Sequence, residues 1–266
     1  MLLSSIRACS RDRLSSITSG VAYFSYNKEK ATAMKTFISL LLSVATFSGC
    51  AKKSDDTSNI NGVSINPSAK YLALGDSYTV GQSVPFDQSF PYQLGRLLSK
   101  ELMGDPTIVA ATGWTTTNLI NAIDQSGLKG KTYEAVTLLI GVNDQYQGMS
   151  STTYTSNFTK LLNTAIAFAN NKPKRVFVLS IPDYSVTPYA ASSNKAEIAA
   201  QIDQFNAINK QIALSAGVNY LDITDISRRA KDQPDLIAGD GLHPSAKMYG
   251  LWVERLQLLV KAQLSQ

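Results

Sequence analysis

Residues 71–81 read YLALGDSYTVG, and this stretch is the best guide to the fold. It begins as a continuous apolar run, which is typical of a strand buried on both faces. Gly75 then permits a tight turn out of the strand. Ser77 lies at the start of the following helix, where its hydroxyl is expected to be exposed near the positive end of the helix dipole. A serine at this position is also a common helix N-cap, so the stretch alone does not establish a nucleophile.

The same alternation of strands and helices continues along the chain. Five apolar runs are predicted as strands: Tyr71–Leu74, Thr107–Ala110, Ala135–Ile140, Arg175–Ile181 and Val218–Ile223. Apolar residues recur at helical spacing between these runs, and a last helix follows Pro244. We read Trp252 on that helix as a core residue. Strict alternation predicts an α/β fold, in which helices flank a parallel sheet of about five strands in a three-layer α/β/α sandwich.

Composition excludes several classes of protein. The chain has 266 residues, of which 44% are hydrophobic and 17% charged, as in ordinary globular proteins. The longest strongly apolar run, Phe37–Phe47, is too short to span a bilayer. Two cysteines, Cys9 and Cys50, and a single histidine, His243, provide neither a disulfide framework nor a cysteine- or histidine-based zinc site. A bound metal would therefore need ligands that are all oxygen.

The positive net charge does not indicate a nucleic-acid partner. The formal charge is +5, but the first 49 residues hold six of the basic and two of the acidic residues. The remainder has 19 basic and 18 acidic residues and is nearly neutral. It also has no dense run of basic residues interleaved with aromatics, so we expect no binding to nucleic acid.

The N-terminal region has the pattern of an export signal. Residues 34–50 read MKTFISLLLSVATFSGC, a lysine followed by an apolar stretch and small residues. We predict a signal peptide over 34–49. Cys50 resembles the acylated cysteine of a bacterial lipobox, which implies a lipid anchor to the cell envelope, at the outer membrane or surface, on its periplasmic or extracellular face. An ordinary signal peptide with an incidental cysteine is the alternative.

The remaining boundaries follow from this reading. Residues 1–33 are interpreted as the product of an upstream, wrongly assigned start, with an organellar transit peptide as the alternative. Residues 50–68 are polar and short of large apolar side chains, which predicts a flexible tether. The folded domain is predicted over 69–266.

Polar residues and glycines follow the other strands where the carboxyl ends of a parallel sheet meet. Gly113 follows the second strand and leaves its backbone N–H accessible. Asn143 follows the third, with a side-chain amide that can donate into the same edge. Asp240 and His243 lie before the last helix, close enough for the carboxylate to bond the imidazole if the loop turns back. Each has a simpler explanation alone, such as a turn or a structural histidine.

Together these blocks resemble the SGNH (GDSL) hydrolase family. The blocks appear in order as GDS with Ser77, then Gly113, GVND with Asn143, and D-x-x-H with Asp240 and His243. The resemblance covers essentially all of 69–266 and implies a flavodoxin-like three-layer sandwich.

The resemblance also implies a serine hydrolase that cleaves carboxylic esters and needs no cofactor or metal. Ser77 would attack the carbonyl, His243 would act as general base and acid, and Asp240 would orient the imidazole. The backbone N–H groups of Ser77 and Gly113 and the Asn143 side chain would bind the oxyanion.

The substrate is predicted from the residues around these blocks. Trp114, Tyr184 and Tyr189 are candidate pocket residues, although packing beneath the loops explains them equally well. No long apolar insertion interrupts the blocks, so we expect a small-molecule or glycan ester with a short acyl group, and acetylated carbohydrate first. The alternatives are a lysophospholipase or thioesterase of the same family, or a non-catalytic surface glycan-binding lipoprotein.

Overall fold

The computed structural model describes residues 59–60, 62–64, 70–102 and 104–266. The predicted upstream segment, the signal peptide, Cys50 and most of the predicted tether lie outside these residues. Within the described part of the chain, no helix is long and apolar enough to cross a membrane.

A seven-stranded sheet forms the centre of the described domain. Its strands are β1 (Asn59–Ile60), β2 (Val63–Ser64), β3 (Tyr71–Gly75), β4 (Thr107–Ala110), β5 (Ala135–Leu139), β6 (Val176–Leu179) and β7 (Asn219–Leu221). Their spatial order is β1-β2-β4-β3-β5-β6-β7, and the last five are parallel. This confirms the predicted five-stranded parallel sheet, with strand ends within two residues of those expected.

The antiparallel strands β1 and β2 are a difference from the expectation, because they lie within the predicted tether. Ile60 pairs with Val63 across a two-residue connection, and Val63 pairs with Val109 of β4. Gly62 has a φ of +87°, and a Cβ there would lie 2.9 Å from the Ala110 carbonyl oxygen. An Asn-Gly pair between short runs is a strong hairpin signal that the polar composition of the segment concealed. At the positions of β1 and β2 the chain is therefore paired with the domain as one edge of its sheet.

Helices pack in two groups against the sheet. They are α1 (Ser77–Val80), α2 (Phe90–Leu97), α3 (Thr116–Gln125), α4 (Val142–Tyr146), α5 (Ser151–Phe168), α6 (Lys195–Ser215), α7 (Thr224–Arg228) and α8 (Ala246–Leu264). In one group α8 packs on α2 and α7, and in the other α5 packs on α3 and α6. The strands β3 and β5 are buried along their whole length, as expected for the middle layer of a three-layer sandwich.

An aromatic cluster lies between α2 and α8 and extends to α1. Trp252 is fully buried, which confirms it as a core residue, and its ring meets those of Phe90, Tyr249 and Tyr78. Burial of each such side chain contributes roughly 1.5–3 kcal/mol. Because Tyr78 directly follows Ser77, this cluster fixes the helix that carries the predicted nucleophile.

Candidate active site

The turn after β3 is dictated by close packing. A Cβ at Gly75 would lie 2.1 Å from Thr79 Oγ1 and 2.4 Å from the Leu139 carbonyl oxygen, so only glycine fits there. Asp76 then caps α1, since its Oδ1 accepts a hydrogen bond from the Tyr78 backbone N–H at 3.0 Å. The cap is therefore Asp76, and Ser77 is the first residue of the helix. Ser77 is only 4% exposed, less than we expected, because it lies at a pocket wall rather than on the open surface.

The loop before α8 turns back on itself and joins the carboxylate to the imidazole. Asp240 Oδ2 lies 2.5 Å from His243 Nδ1. Its Oδ1 accepts hydrogen bonds from the backbone N–H groups of Leu242 and His243, both at 3.0 Å. The loop is closed by a hydrogen bond from the Ala238 N–H to the His243 carbonyl oxygen at 2.8 Å. These bonds set the direction in which the imidazole points.

Hydrogen bonding keeps Asp240 ionised. Partial burial opposes the charged form, but hydrogen bonds from Ser83 and His243 and from two backbone N–H groups outweigh it and hold the pKa of Asp240 well below its usual range. The Tyr78 ring also meets the His243 ring edge-on, with 5.9 Å between centroids. The imidazole therefore has a fixed carboxylate on one side and an aromatic ring on another.

Asn143 projects from the second position of α4 into the same pocket as Ser77 and His243. The helix begins after Gly141, whose φ of +132° and close contact with Tyr154 require glycine. Asn143 Nδ2 donates to the Trp114 carbonyl oxygen at 3.0 Å. An amide nitrogen carries two hydrogens, and this bond orients the group so that the other is available to an oxyanion.

Gly113 and Trp114 are placed differently from the other predicted residues. Gly113 has a φ of +81° in the turn between β4 and α3, and no atom lies within 4 Å of where its Cβ would be. Neither residue lines the pocket that holds Ser77. A Cβ at Gly62 would lie 3.2 Å from Trp114 Cζ2, so the indole lies beside the β1–β2 hairpin, and the Trp114 carbonyl oxygen accepts the hydrogen bond from Asn143. The structure thus connects Trp114 to the site through its backbone and not through its ring.

The pocket has a volume of about 100 Å³. Its walls are formed by Ser77, Tyr78, Val142, Asn143, Tyr146, Tyr184, Tyr189, Leu242 and His243. The predicted pocket residues Tyr184 and Tyr189 are both present, on two short 3₁₀ turns after β6. Sequence reasoning missed Tyr146, which is 58% exposed and shares a 2.8 Å hydrogen bond between hydroxyl groups with Tyr189. Its position three residues after Asn143 was the available signal.

Two buried acids also adjoin the site and were given no role from the sequence. Asp76 is fully buried, and this burial, together with the nearby Asp144 carboxylate, raises its pKa to about 8. Burial likewise raises the pKa of Asp144, although Thr116 of α3 donates to it from both its backbone N–H and its hydroxyl. Both acids belong to the blocks that carry Ser77 and Asn143.

The described residues include no cluster of three or more His, Cys, Asp or Glu side chains that could hold a metal ion. What they do hold is a serine, an imidazole and a carboxylate at the carboxyl edge of a parallel sheet, beside an oriented amide. This combination defines a class of protein, the hydrolytic enzymes built on a three-layer α/β/α sandwich.

The particular family follows from comparison with known proteins. Residues 73–251 match the model of the GDSL-like lipase/acylhydrolase family, which is well over half of the chain. The chain belongs to this family and is an ester hydrolase. No curated protein matches its sequence.

Solved structures show the same fold at low sequence identity. A member of the lipolytic G-D-S-L family from Veillonella parvula is 17% identical, with a TM-score of 0.55, over 72% of this chain and 97% of that one. The psychrotrophic esterase EstA from Pseudoalteromonas sp. is 19% identical, with a TM-score of 0.54, over 74% and 98%. An acetylxylan esterase from Geobacillus stearothermophilus is 18% identical, with a TM-score of 0.52, over 72% and 94%.

Proposed function

We propose that this hydrolase cleaves carboxylic esters through an acyl-enzyme formed on Ser77. The observation that carries the proposal is that Ser77 and His243 line one pocket while His243 Nδ1 is bonded to Asp240. Because Nδ1 is engaged by the carboxylate, Nε2 is the ring nitrogen that faces the reaction. It takes the proton of the Ser77 hydroxyl as the oxygen attacks the carbonyl, and Asp240 stabilises the imidazolium that forms.

The negative charge that develops on the carbonyl oxygen is received by three donors. Two are the backbone N–H group of Ser77 and Asn143 Nδ2, which is held by the Trp114 carbonyl oxygen. The third is the backbone N–H group of Gly113, assigned by the family resemblance, although Gly113 itself does not line the pocket. The intermediate collapses as His243 returns its proton to the leaving alcohol. Water then attacks the acyl-enzyme with His243 again as the base, which regenerates Ser77 and releases the acid.

The favoured substrate is a short-acyl ester, with acetylated carbohydrate first. A pocket of about 100 Å³ has room for an acyl group of few carbons. Each further methylene gains about 0.8 kcal/mol only where apolar surface is available to receive it. Above this pocket, Tyr146 and Tyr189 are each at least half exposed, and aromatic faces of this kind suit the apolar faces of sugar rings. The acetylxylan esterase with the same fold is consistent with such chemistry.

An acyl-chain series tests the substrate. Chromogenic esters from acetate to palmitate would be compared with acetylated xylo-oligosaccharides and a lysophospholipid. We expect kcat/KM to fall beyond about four carbons and acetylated sugars to exceed the lysophospholipid, since a small pocket discriminates by fit to the transition state. A maximum at long acyl chains with good lysophospholipid turnover would make the lipid-processing alternative correct.

A labelling experiment tests the mechanism and the non-catalytic alternative together. A fluorophosphonate probe should label the mature protein at one serine, and Ser77→Ala should abolish both labelling and ester turnover. Ser89→Ala is a matched control, because Ser89 is a buried serine at the start of α2. Labelling elsewhere would refute the assignment of Ser77. A protein that binds glycans but is never labelled would be a binding lipoprotein.

We propose further that the protein is exported and anchored to the bacterial envelope by a lipid on Cys50. The support is the sequence of residues 34–50, with its apolar stretch and small residues before the cysteine. Mass spectrometry of membrane extracts should find a lipid-modified N-terminus at Cys50, and Cys50→Ala should release soluble protein. An unmodified thiol with a mature N-terminus elsewhere would refute the anchor.

A further inference from the structure

The turn that follows the nucleophile helix is joined to two other parts of the site. Gln82 and Ser83 form this turn directly after α1. The Thr112 hydroxyl, in the loop after β4, donates to Gln82 Oε1 at 2.6 Å. The Ser83 hydroxyl donates to Asp240 Oδ2, also at 2.6 Å. Two neighbouring side chains therefore connect the turn after α1 both to the loop that holds Gly113 and to the loop that holds Asp240 and His243.

Ser83 makes its bond from an unfavourable backbone conformation. Its φ is +68°, in the left-handed region that L-residues other than glycine rarely adopt. The other described non-glycine residues with positive φ are Asn170 and Asn171, and asparagine is the residue type that tolerates this region best. Strain of this kind persists where the surrounding structure requires it and is concentrated at functional sites.

The atom that Ser83 contacts is the one that orients the general base. Asp240 Oδ2 accepts from both the Ser83 hydroxyl and His243 Nδ1. Two donors on one oxygen determine its position, while Oδ1 is held by the backbone. Two further ionisable groups feel the Asp240 charge, the phenols of Tyr78 on α1 and Tyr249 on α8. Burial raises the pKa of each, and Asp240 adds a smaller increase. Neither phenol donates a hydrogen bond to Asp240 among the described contacts.

We propose that Ser83 is a positioning residue of the hydrolytic site, whose hydroxyl holds the Asp240 carboxylate where Oδ2 meets His243 Nδ1. The inference rests on the triad of the proposed function. Ser83 acts through Asp240 and does not touch the reacting atoms. Its hydroxyl also draws negative charge from Oδ2, so it weakens the charge that this oxygen presents to His243 Nδ1.

Three substitutions at one position test this inference in the full-length protein. Ser83→Gly removes the hydroxyl and suits the positive φ. Ser83→Asn suits the same φ and supplies an amide donor, whereas Ser83→Asp has the same shape as asparagine but brings a negative charge towards Asp240. kcat, KM, melting temperature and the pH profile of kcat/KM would be measured with p-nitrophenyl acetate.

We expect Ser83→Gly to lower kcat about tenfold, as for the loss of one charge-assisted hydrogen bond, with little change in KM. Its melting temperature should stay the same or rise, because glycine relieves the strain. The acidic limb of its pH profile should move to higher pH, since Oδ2 then keeps more negative charge to stabilise the imidazolium. Ser83→Asn should recover most of the activity, and Ser83→Asp should be less active than Ser83→Gly.

Asn170→Gly is the control, because Asn170 also has a positive φ but follows α5 at the opposite edge of the sheet. It should leave kcat and the pH profile unchanged. A Ser83→Gly protein with wild-type kcat and pH profile would overturn the inference. A loss that Ser83→Asn does not recover and that leaves the pH profile in place would also overturn it, since that is a structural role only. A wild type without esterase activity would instead refute the proposed function, and the inference with it.

Discussion

The loop after β3 and the loop after β6 meet at the same pocket but are held in different ways. The first passes from strand to helix through Gly75 and Asp76. Close packing at Gly75 and the hydrogen bond from the Tyr78 N–H to the Asp76 carboxylate determine where Ser77 lies. The second runs through two 3₁₀ turns, and its anchors are distant in sequence. Asp183 accepts from Arg228 Nε at 2.9 Å, and the Tyr189 N–H donates to the Gly241 carbonyl oxygen at 2.9 Å.

This difference suits the first loop to catalysis and the second to substrate recognition. Asp76 and Ser77 on the first loop are buried, and this suits catalysis because a small displacement of a reacting atom is costly. On the second loop Tyr189 is 50% exposed and free to contact a substrate of variable shape. We therefore expect changes near Ser77 to reduce kcat and changes around Tyr189 to alter KM.

The largest effect is expected at the general base. His243→Gln should lower kcat/KM about 10⁴-fold, because no other described residue of the pocket can take the proton of Ser77 at neutral pH. The fold should persist, since the glutamine amide can still bond to Asp240. Esterase assays and circular dichroism check this, and Gln125→His, at the exposed last residue of α3, is the control for an imidazole placed elsewhere. A fully active His243→Gln protein would exclude the triad.

The next effect concerns the oxyanion. Asn143→Ala should lower kcat about 10²–10³-fold with little change in KM, as for the removal of one oxyanion donor. Steady-state kinetics with p-nitrophenyl acetate measure it. Asn157→Ala is the matched control, because the Asn157 amide donates to two threonine hydroxyls of α3 and not into the pocket. Equal losses in the two variants would mean that Asn143 acts on stability alone.

A smaller effect is expected at Tyr189, one of the two half-exposed tyrosines of the pocket wall. Tyr189→Ala should raise KM for an acetylated xylo-oligosaccharide several-fold, since contact of a sugar ring with an aromatic face contributes about 1 kcal/mol. It should change p-nitrophenyl acetate turnover much less, because that substrate has no sugar ring to contact the exposed face of Tyr189. Leu214→Ala removes a comparably exposed apolar side chain at the end of α6 and serves as the control. A loss of kcat for both substrates would place Tyr189 with the catalytic residues.

The smallest effect on activity, and a distinct one on stability, is expected at Asp76. Its folded pKa of about 8 exceeds its unfolded value of about 4, so the folded state holds an extra proton between these limits. The free energy of unfolding should therefore fall as pH rises from about 4 to about 8, by up to about 1.4 kcal/mol per pH unit. Asp76→Asn keeps an oxygen for the Tyr78 N–H and should remove this slope.

Urea unfolding of both proteins at pH 5 and pH 8 measures the slope. The exposed Asp124→Asn serves as a control for the removal of one surface charge. Parallel stability curves for wild type and Asp76→Asn would show that Asp76 is ionised in the folded state. The cap would then be an ordinary charged one.

The sequence by itself determined the parallel sheet and the catalytic candidates. Continuous apolar runs identify strands buried on both faces, and the carboxyl ends of parallel strands share one edge, so residues after each run converge. The contact between Asp240 and His243 was predictable because the two residues are only three positions apart in one loop.

Only the tertiary structure decided which other side chains reach the pocket. Trp114 follows Gly113 directly, yet its ring lies beside the hairpin at Gly62. Tyr146 meets Tyr189 across 43 positions, and Ser83 meets Asp240 across 157. Periodicity and local motifs report on neighbours along the chain. A contact between distant residues depends on how whole strands and helices pack, and no short stretch of sequence determines that packing.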